Sequence, residues 1–410
     1  MSPPQTFLFG VGFPCAQVVT LSGSANLLLG FLASLFSLIL LGGCGSSGGS
    51  EPQPLPNGAI PVRVGYFPNV THAQAVLGLS PERADYQKAL GDEYQISSRI
   101  FNAGPSVIEA LFGGELDIGF LGPSPIINGW LASRGTEFHV ISGACSNGIV
   151  IVTNPRRSIN SLEQLRGLRI ATPQMGNTQD ISARHFVVHQ LGGTLREQGG
   201  DTTILPISNP EIEIAFEKDQ IDVAWIPEPW ASRLIESGRA KFLAEESSLW
   251  PDGRFALTAI IARKGFLEHQ PEAVVRFLQA HIGLTEELQN NPLQFVEPLN
   301  KELKRLISRE LPARVLEESL RRIDFSVEPD SNTMKTFYQK ALDLNMTRRF
   351  RGLTLDNLVQ DQWLRQAQQR RNPGSAEIKN PNPDPISDEA QTSSVSPKGS
   401  LTSPSQTNEP

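Results

Sequence analysis

The stretch Phe101 to Pro125 constrains this chain most, because it spells a helix, a strand, a tight turn and a second helix with almost no spacer. Pro105 stands where a first helical residue belongs, and Val107, Ile108, Leu111 and Phe112 form one apolar face before Gly113 and Gly114 stop the helix. Leu116, Ile118 and Phe120 alternate with Asp117 and Gly119, as in a short strand. Gly122-Pro123-Ser124-Pro125 then turns into a helix whose face is Ile126, Ile127, Trp130 and Leu131. A strand that runs through a tight turn into a helix start puts free backbone N–H groups, and here the Ser124 hydroxyl, at the carboxyl end of a sheet. Open α/β folds hold anionic ligands there.

The same order recurs about a hundred residues later. Phe216 ends a helix, Asp219-Gln220-Ile221-Asp222-Val223 opens a strand, and Pro227-Glu228-Pro229-Trp230 gives a proline-bracketed turn into an aromatic-bearing helix. Two α/β lobes of similar plan are predicted, the alternative being that any two βα units look this much alike.

At 410 residues the chain is long enough for two domains, and its 39% hydrophobic and 19% charged residues are ordinary for a soluble globule. A formal net charge of -7, without a Lys/Arg stripe interleaved with aromatics, argues against a nucleic-acid partner. Any anion site must therefore be built locally.

The first fifty residues carry no charged side chain. Leu27 to Leu41 is an apolar run ending in Leu41-Gly42-Gly43-Cys44, the lipobox pattern of bacterial lipoproteins, which predicts a signal peptide over 1–43 and acylation of Cys44. An uncleaved membrane anchor is the alternative, and the usual positive amino-terminal region is missing. Of the three cysteines, Cys15 leaves with the signal and Cys44 carries lipid, so Cys145 has no disulfide partner.

Residues 44–59, rich in Gly, Ser and Pro, read as a flexible tether. Lobe one is expected over 60–152, lobe two over 153–256, and a return to lobe one with a helical block over 257–371. Strands are expected at Val62–Phe67, Tyr94–Phe101, Phe138–Ile141 and Ile149–Thr153, with the crossing at Asn154-Pro155. In lobe two they are expected at Leu168–Ala171, Thr202–Pro206, Asp222–Ile226 and Lys241–Ala244, with Phe255–Ala262 as the return. Everything after that reads as helical, over Glu272–Gln289, Pro292–Ile307, Pro312–Ile323, Asn332–Leu344 and Leu355–Gln369, closing over lobe one. Residues 372–410 have the composition of a disordered tail.

Four loops are expected to face one cleft: Asn69 to His72, Gly122 to Pro125, Gly176 to Asp180, and Pro227 to Trp230. Gly176-Asn177-Thr178 combines a glycine turn, side-chain donors and a helix start, which suits a small oxyanion; simple N-capping explains Asn177 or Thr178 equally well. Asn69 or Thr71 is placed to cap a helix, and His72 fits an anion donor or a cap. Trp225 and Trp230 suit a core. Glu228 fits a ligand amine or hydroxyl, or a lock on its own turn. Asp117 and Asp222 are expected to bind local backbone, without chemistry. Catalytic loops, metal-spaced Cys/His sets and cofactor fingerprints are absent from the sequence, although a dispersed active site leaves no local signature.

With these residues in view, the chain resembles the solute-binding proteins of bacterial ABC importers in the nitrate/sulfonate/taurine group, over roughly Ile60 to Trp363. The resemblance rests on Val64-Gly65-Tyr66-Phe67-Pro68-Asn69-Val70-Thr71-His72-Ala73, Asn102-Ala103-Gly104-Pro105, Gly122-Pro123-Ser124-Pro125, Ala171 through Asp180, and Trp225-Ile226-Pro227-Glu228-Pro229-Trp230. It implies a two-lobed periplasmic-binding-protein fold of type II, each lobe a mostly parallel sheet flanked by helices. It also implies a monomer without cofactor or catalysis, which delivers a small anionic solute to a permease and its ATPase, lipid-anchored at the membrane. By motif position the ligand contacts carry over to Ser124, Asn177, Thr178 and Gln179, with Glu228, Asn69 and His72 beside them. Together these motifs resemble the aliphatic-sulfonate-type members most, and the absence of a Lys in the four loops counts against nitrate- or bicarbonate-specific members. Binders of another small ligand of the group (nitrate, taurine or a thiamine-pyrimidine precursor), related-fold enzymes and a purely structural envelope lipoprotein remain the alternatives.

Overall fold

The computed structural model describes residues 53–350 and 352–372. The stretch expected as signal peptide, Cys44, most of the expected tether and the expected tail beyond Asn372 lie outside the described residues. Eleven strands are present among them: β1 (Ile60–Tyr66), β2 (Tyr94–Ile100), β3 (Ile118–Leu121), β4 (Phe138–Asn147), β5 (Ile149–Thr153), β6 (Arg169–Thr172), β7 (Thr203–Pro206), β8 (Val223–Pro227), β9 (Lys241–Glu245), β10 (Ala256–Arg263) and β11 (Ile323–Phe325).

They form two sheets, ordered β2-β1-β3-β10-β4-β11 and β7-β6-β8-β5-β9. In each sheet the first three strands are parallel and the fourth and fifth are antiparallel to their neighbours. The fourth strand is always the one donated across the lobe boundary: β10 returns to the first sheet, and β5 enters the second before β6. The central strands β3, β5, β8 and β10 are buried along their whole length, which explains their near-continuous apolar sequence.

The duplication extends to side chains. Arg63 on β1 gives its backbone N–H and its Nε to Asp117 Oδ2 at 3.0 and 2.8 Å, and its Nη1 to the Gly114 carbonyl. Arg169 on β6 gives its N–H and Nε to Asp222 Oδ2, both at 3.0 Å, and its Nη1 to the Asp219 carbonyl. The two aspartates were expected to bind backbone only. Each instead ties the strand it precedes, β3 or β8, to the neighbouring parallel strand, β1 or β6, through a guanidinium fork.

Three expectations are corrected. First, β5 belongs to the second sheet, so the chain crosses at Asn147-Gly148 and not after Thr153. Both residues are left-handed, with φ of 63° and 77°, and a Cβ on Gly148 would lie 2.7 Å from Ile323 Cγ1. An apolar run marks a strand but not the sheet it joins, whereas the Asn-Gly pair was the available turn signal.

Second, the region after β10 is not all helix. Ile323–Phe325 pairs with β4, and residues 355–358 form a turn after which Val359 bridges Val140 of the same strand, before the last helix, Gln362–Arg371. The block also touches both lobes: helix Ser331–Asp343 packs on Pro123–Ala132 and on Thr178–His185, and helix Ala313–Arg321 packs on Trp230–Glu236. Third, Phe112 is 40% exposed although Val107, Ile108 and Leu111 of the same helix are buried. The Ser161–Gln164 capping box is present, with Gln164 Oε1 accepting the Ser161 N–H at 3.2 Å.

Candidate functional site

A cavity lies where the two sheets present their carboxyl ends. The volume open to the centre of a water-sized sphere is about 40 Å³. At about 10–15 Å³ per water on that measure, it holds a few waters or one small solute. Helix starts from both lobes wall it. Lobe one contributes Asn102 to Gly104, ahead of helix Gly104–Phe112, and Gly122 and Pro125 at helix Pro123–Ala132. Lobe two contributes Asn177, Thr178 and Gln179 at helix Thr178–His185, and Asn209 at helix Asn209–Glu217. Among the described residues none lining the cavity is Lys, Arg, Asp or Glu. The polarity comes from amides, hydroxyls and first-turn N–H groups, which lack intrahelical partners.

Asn177 is both cap and wall. Its Oδ1 accepts the Asp180 N–H at 2.8 Å, so capping takes the oxygen and leaves the amide nitrogen. Asp180 shapes the turn, since its carboxylate accepts from the Gly176 N–H at 2.9 Å and from Thr172 Oγ1 at 3.1 Å. Arg184 Nε at 3.0 Å balances that buried charge. Thr178 and Gln179 are buried, and both line the cavity.

His72 is buried and accepts the Phe67 N–H on Nδ1 at 3.4 Å, with the two rings 4.3 Å apart. Burial drives its pKa down to about 3, so the ring is neutral at physiological pH and Nε2 carries the proton. It is a neutral donor and not a cation. Asn69 caps nothing: its Oδ1 accepts Trp230 Nε1–H at 3.0 Å, a bond from lobe two to lobe one beside the cavity. Trp225 is core, as expected, and donates to Glu246 Oε2 at 2.6 Å.

Two expected ligand contacts are placed differently. Ser124 is 4% exposed and its hydroxyl has no partner among the described residues, although its neighbour Pro125 lines the cavity. Pro123 and Pro125 have no N–H, so this helix start offers fewer backbone donors than its geometry suggests. Glu228 does not line the cavity: the Ser232 N–H and Oγ, Ser319 Oγ and Arg322 Nη1 occupy its carboxylate at 2.9 to 3.1 Å. Burial pushes its pKa up, against the pull of Arg322. Of the two sequence readings, the lock on its turn is the one the geometry bears out, and the lock is set from a distant helix.

Sequence reasoning placed Thr71 in a cleft-facing loop but missed Asn102, Asn209 and Thr258 as wall residues. Asn102 stands two residues before a proline-marked helix and Asn209 opens one, a signal that was available for both. Cys145 is buried and donates to the Thr71 carbonyl at 3.1 Å, and burial pushes its thiol up to about 12. Among the described residues no group of three or more His, Cys, Asp or Glu side chains is placed to hold a metal ion, and no helix is long and apolar enough to cross a membrane.

The NMT1-like family matches residues 57–294, which takes in both sheets apart from β11. The chain belongs to the NMT1-like family. It is 28% identical over 197 residues to the taurine-binding periplasmic protein of Escherichia coli (strain K12), covering 47% of this chain and 58% of that one. Among solved structures, this NMT1-like chain resembles the alkanesulfonate-binding protein SsuA from Xanthomonas axonopodis pv. citri bound to MOPS. The TM-score is 0.57 at 22% identity, over 73% of this chain and 96% of that one. It also resembles the periplasmic nitrate-binding protein NrtA from Synechocystis PCC 6803, with a TM-score of 0.65 at 13% identity, over 77% and 90% of the two chains. At these identities the structural likeness concerns the fold, a two-lobed α/β architecture of the periplasmic-binding-protein kind.

Proposed function

We propose that this NMT1-like chain is an extracytoplasmic solute-binding lipoprotein of an ABC importer, without catalytic activity, which captures a small organosulfonate-type anion between its lobes. The observation that carries this reading is a small cavity without charged side chains, walled by helix starts from both lobes. A sulfonate's three oxygens accept several such donors at once, and helix N-termini favour negative charge. The name of the taurine-binding relative supports the ligand class. A permease and its ATPase are the implied partners.

Calorimetry with taurine, short alkanesulfonates and nitrate tests the ligand class. A hydrogen bond to a charged group is worth about 1.5–3 kcal/mol, so Thr178→Val is expected to weaken sulfonate binding by roughly ten- to a hundredfold. Ser124 does not line the cavity, but its buried hydroxyl, next to Pro125 of the wall, has no other partner among the described residues, and Ser124→Ala is expected to weaken binding likewise if that hydroxyl turns to the solute. Arg254 is exposed, and its Nε donates to Ser146 Oγ at 3.2 Å. If both variants bind normally and Arg254→Gln does not, the anion has been put in the wrong place.

The anchoring part of the reading rests on Leu41-Gly42-Gly43-Cys44. Cys44→Ala is expected to leave the precursor uncleaved and without lipid, its apolar leader still attached. A variant cleaved and membrane-bound like the parent would remove the lipid anchor from the proposal.

A further inference from the structure

Arg322 joins the two lobes at the point where the chain crosses between them. It sits directly before β11, which is hydrogen-bonded to β4 of the first sheet, so its backbone belongs to lobe one. Its side chain reaches into lobe two: Nη1 donates to Glu228 Oε1 at 2.9 Å and to Ser232 Oγ at 2.7 Å, and Nε to Glu245 Oε1 at 3.1 Å. The two residues after it hold the crossing itself. Ile323 packs against Gly148, and Asp324 Oδ2 accepts from Asn147 Nδ2 at 2.8 Å.

Glu228 is equally well placed to transmit a position. Its N–H donates to the Gly148 carbonyl at 2.9 Å, and its carboxylate is fully buried while Arg322 is only 18% exposed. Pro227, one residue before it, lines the cavity; Trp230, two residues after it, makes the bond to Asn69. Removing the guanidinium leaves a buried carboxylate without its counter-charge, held only by neutral donors, the Ser232 N–H and the hydroxyls of Ser232 and Ser319. We propose that Arg322 is a positioning residue for the cleft: through Glu228 it fixes the angle at which lobe two closes on lobe one, and so the shape of the cavity wall. The proposal rests on the reading of the cavity as the solute site, but not on which solute enters.

Hydrogen exchange of the full chain, without added solute, tests it. Arg322→Gln is expected to speed exchange roughly tenfold in the first turns of the helices starting at Pro123 and Thr178, on opposite edges of the cleft. Amides at the centres of β1 and β6 are expected to keep their protection, which a merely destabilising substitution would not allow. Arg322→Lys, which retains the charge beside Glu228, is expected to recover most of the protection at the cleft. Should Arg322→Gln fail to fold, Glu245→Gln removes one anchor from the surface side and is expected to move the same amides by a smaller factor. Unchanged exchange at the cleft edges, an equal rise in the sheet centres, or no recovery with lysine overturns the proposal. A protein that binds no sulfonate yet opens in Arg322→Gln would sink the ligand class alone.

Discussion

Gly122→Ala is expected to weaken solute binding by about a hundredfold while the protein stays folded. Gly122 has φ of -81° and ψ of 166°, a conformation that alanine adopts without strain, so the backbone does not resist the change. The obstacle is across the cleft. A Cβ at this position would overlap the Thr178 hydroxyl of lobe two and lie 3.2 Å from the Leu257 carbonyl of lobe one's own β10. The carbonyl is fixed in its strand, so relief comes from moving Thr178, which means opening the lobes. Loss of glycine at an N-cap costs about 1 kcal/mol, a fall of roughly 2–4 °C in melting temperature, which separates the binding effect from unfolding. The double variant Gly122→Ala/Thr178→Ala removes the overlapping hydroxyl and is expected to bind about as well as Thr178→Ala alone, so that the two losses do not add. Parent-like calorimetry for Gly122→Ala would show that Thr178 simply turns aside and that closure does not need this contact.

Asp117→Asn is expected to be the most destabilising single substitution of a polar residue in lobe one, by about 3–5 kcal/mol, or roughly 10 °C in melting temperature. Its carboxylate is 0% exposed and pairs with Arg63 Nη2 at 2.8 Å and with Arg263 Nη2 at 3.1 Å, the latter arginine itself only 7% exposed. An amide there leaves a buried guanidinium without its counter-charge. The corresponding change in lobe two, Asp222→Asn, is expected to cost only about 1 kcal/mol, because its arginine partners remain hydrated. Arg169 and Arg157 are 36% and 42% exposed. Burial pushes the Asp222 carboxyl up, but its bonds to Arg169 and the nearby Arg157 outweigh that and hold it below the usual carboxylate range. The stabilisation from Asp222 is therefore full above the unfolded pKa of about 3.9, and is lost as pH falls through the lower folded value. Equal melting losses for the two variants would show that burial does not set the difference.

The elements were largely legible because their signals are local. Pro105 and Pro123 mark helix starts, Gly113 a helix end, and the apolar runs of β3, β5, β8 and β10 buried strands, and each stands in the structure within a residue or two of its expected place. Asn177, Thr178 and Gln179 were legible for the same reason: a glycine turn before a capped helix is a short-range pattern. Asn102 and Asn209, beside the helix-start prolines Pro105 and Pro210, carried a short-range signal of another kind and were passed over, since a helix start becomes a cavity wall only when another chain segment faces it.

By itself, then, the sequence determined the α/β class, the repeated plan of the lobes, the main strands and helices, and which loops carry polar helix starts. Tertiary structure decided the rest. It put β5 in the second sheet and made a strand of Ile323–Phe325 inside a helical block. It also spread that block over both lobes, and gave Glu228 to Arg322, 94 residues away, in place of the cavity. The physical reason is the same in each case. Periodicity and turn chemistry report whether a residue is buried and how its own backbone bends, because those depend on neighbours within a few positions. Which strand pairs with which, and which distant guanidinium meets a buried carboxylate, depends on groups brought together only when the two lobes and the carboxyl-terminal block pack.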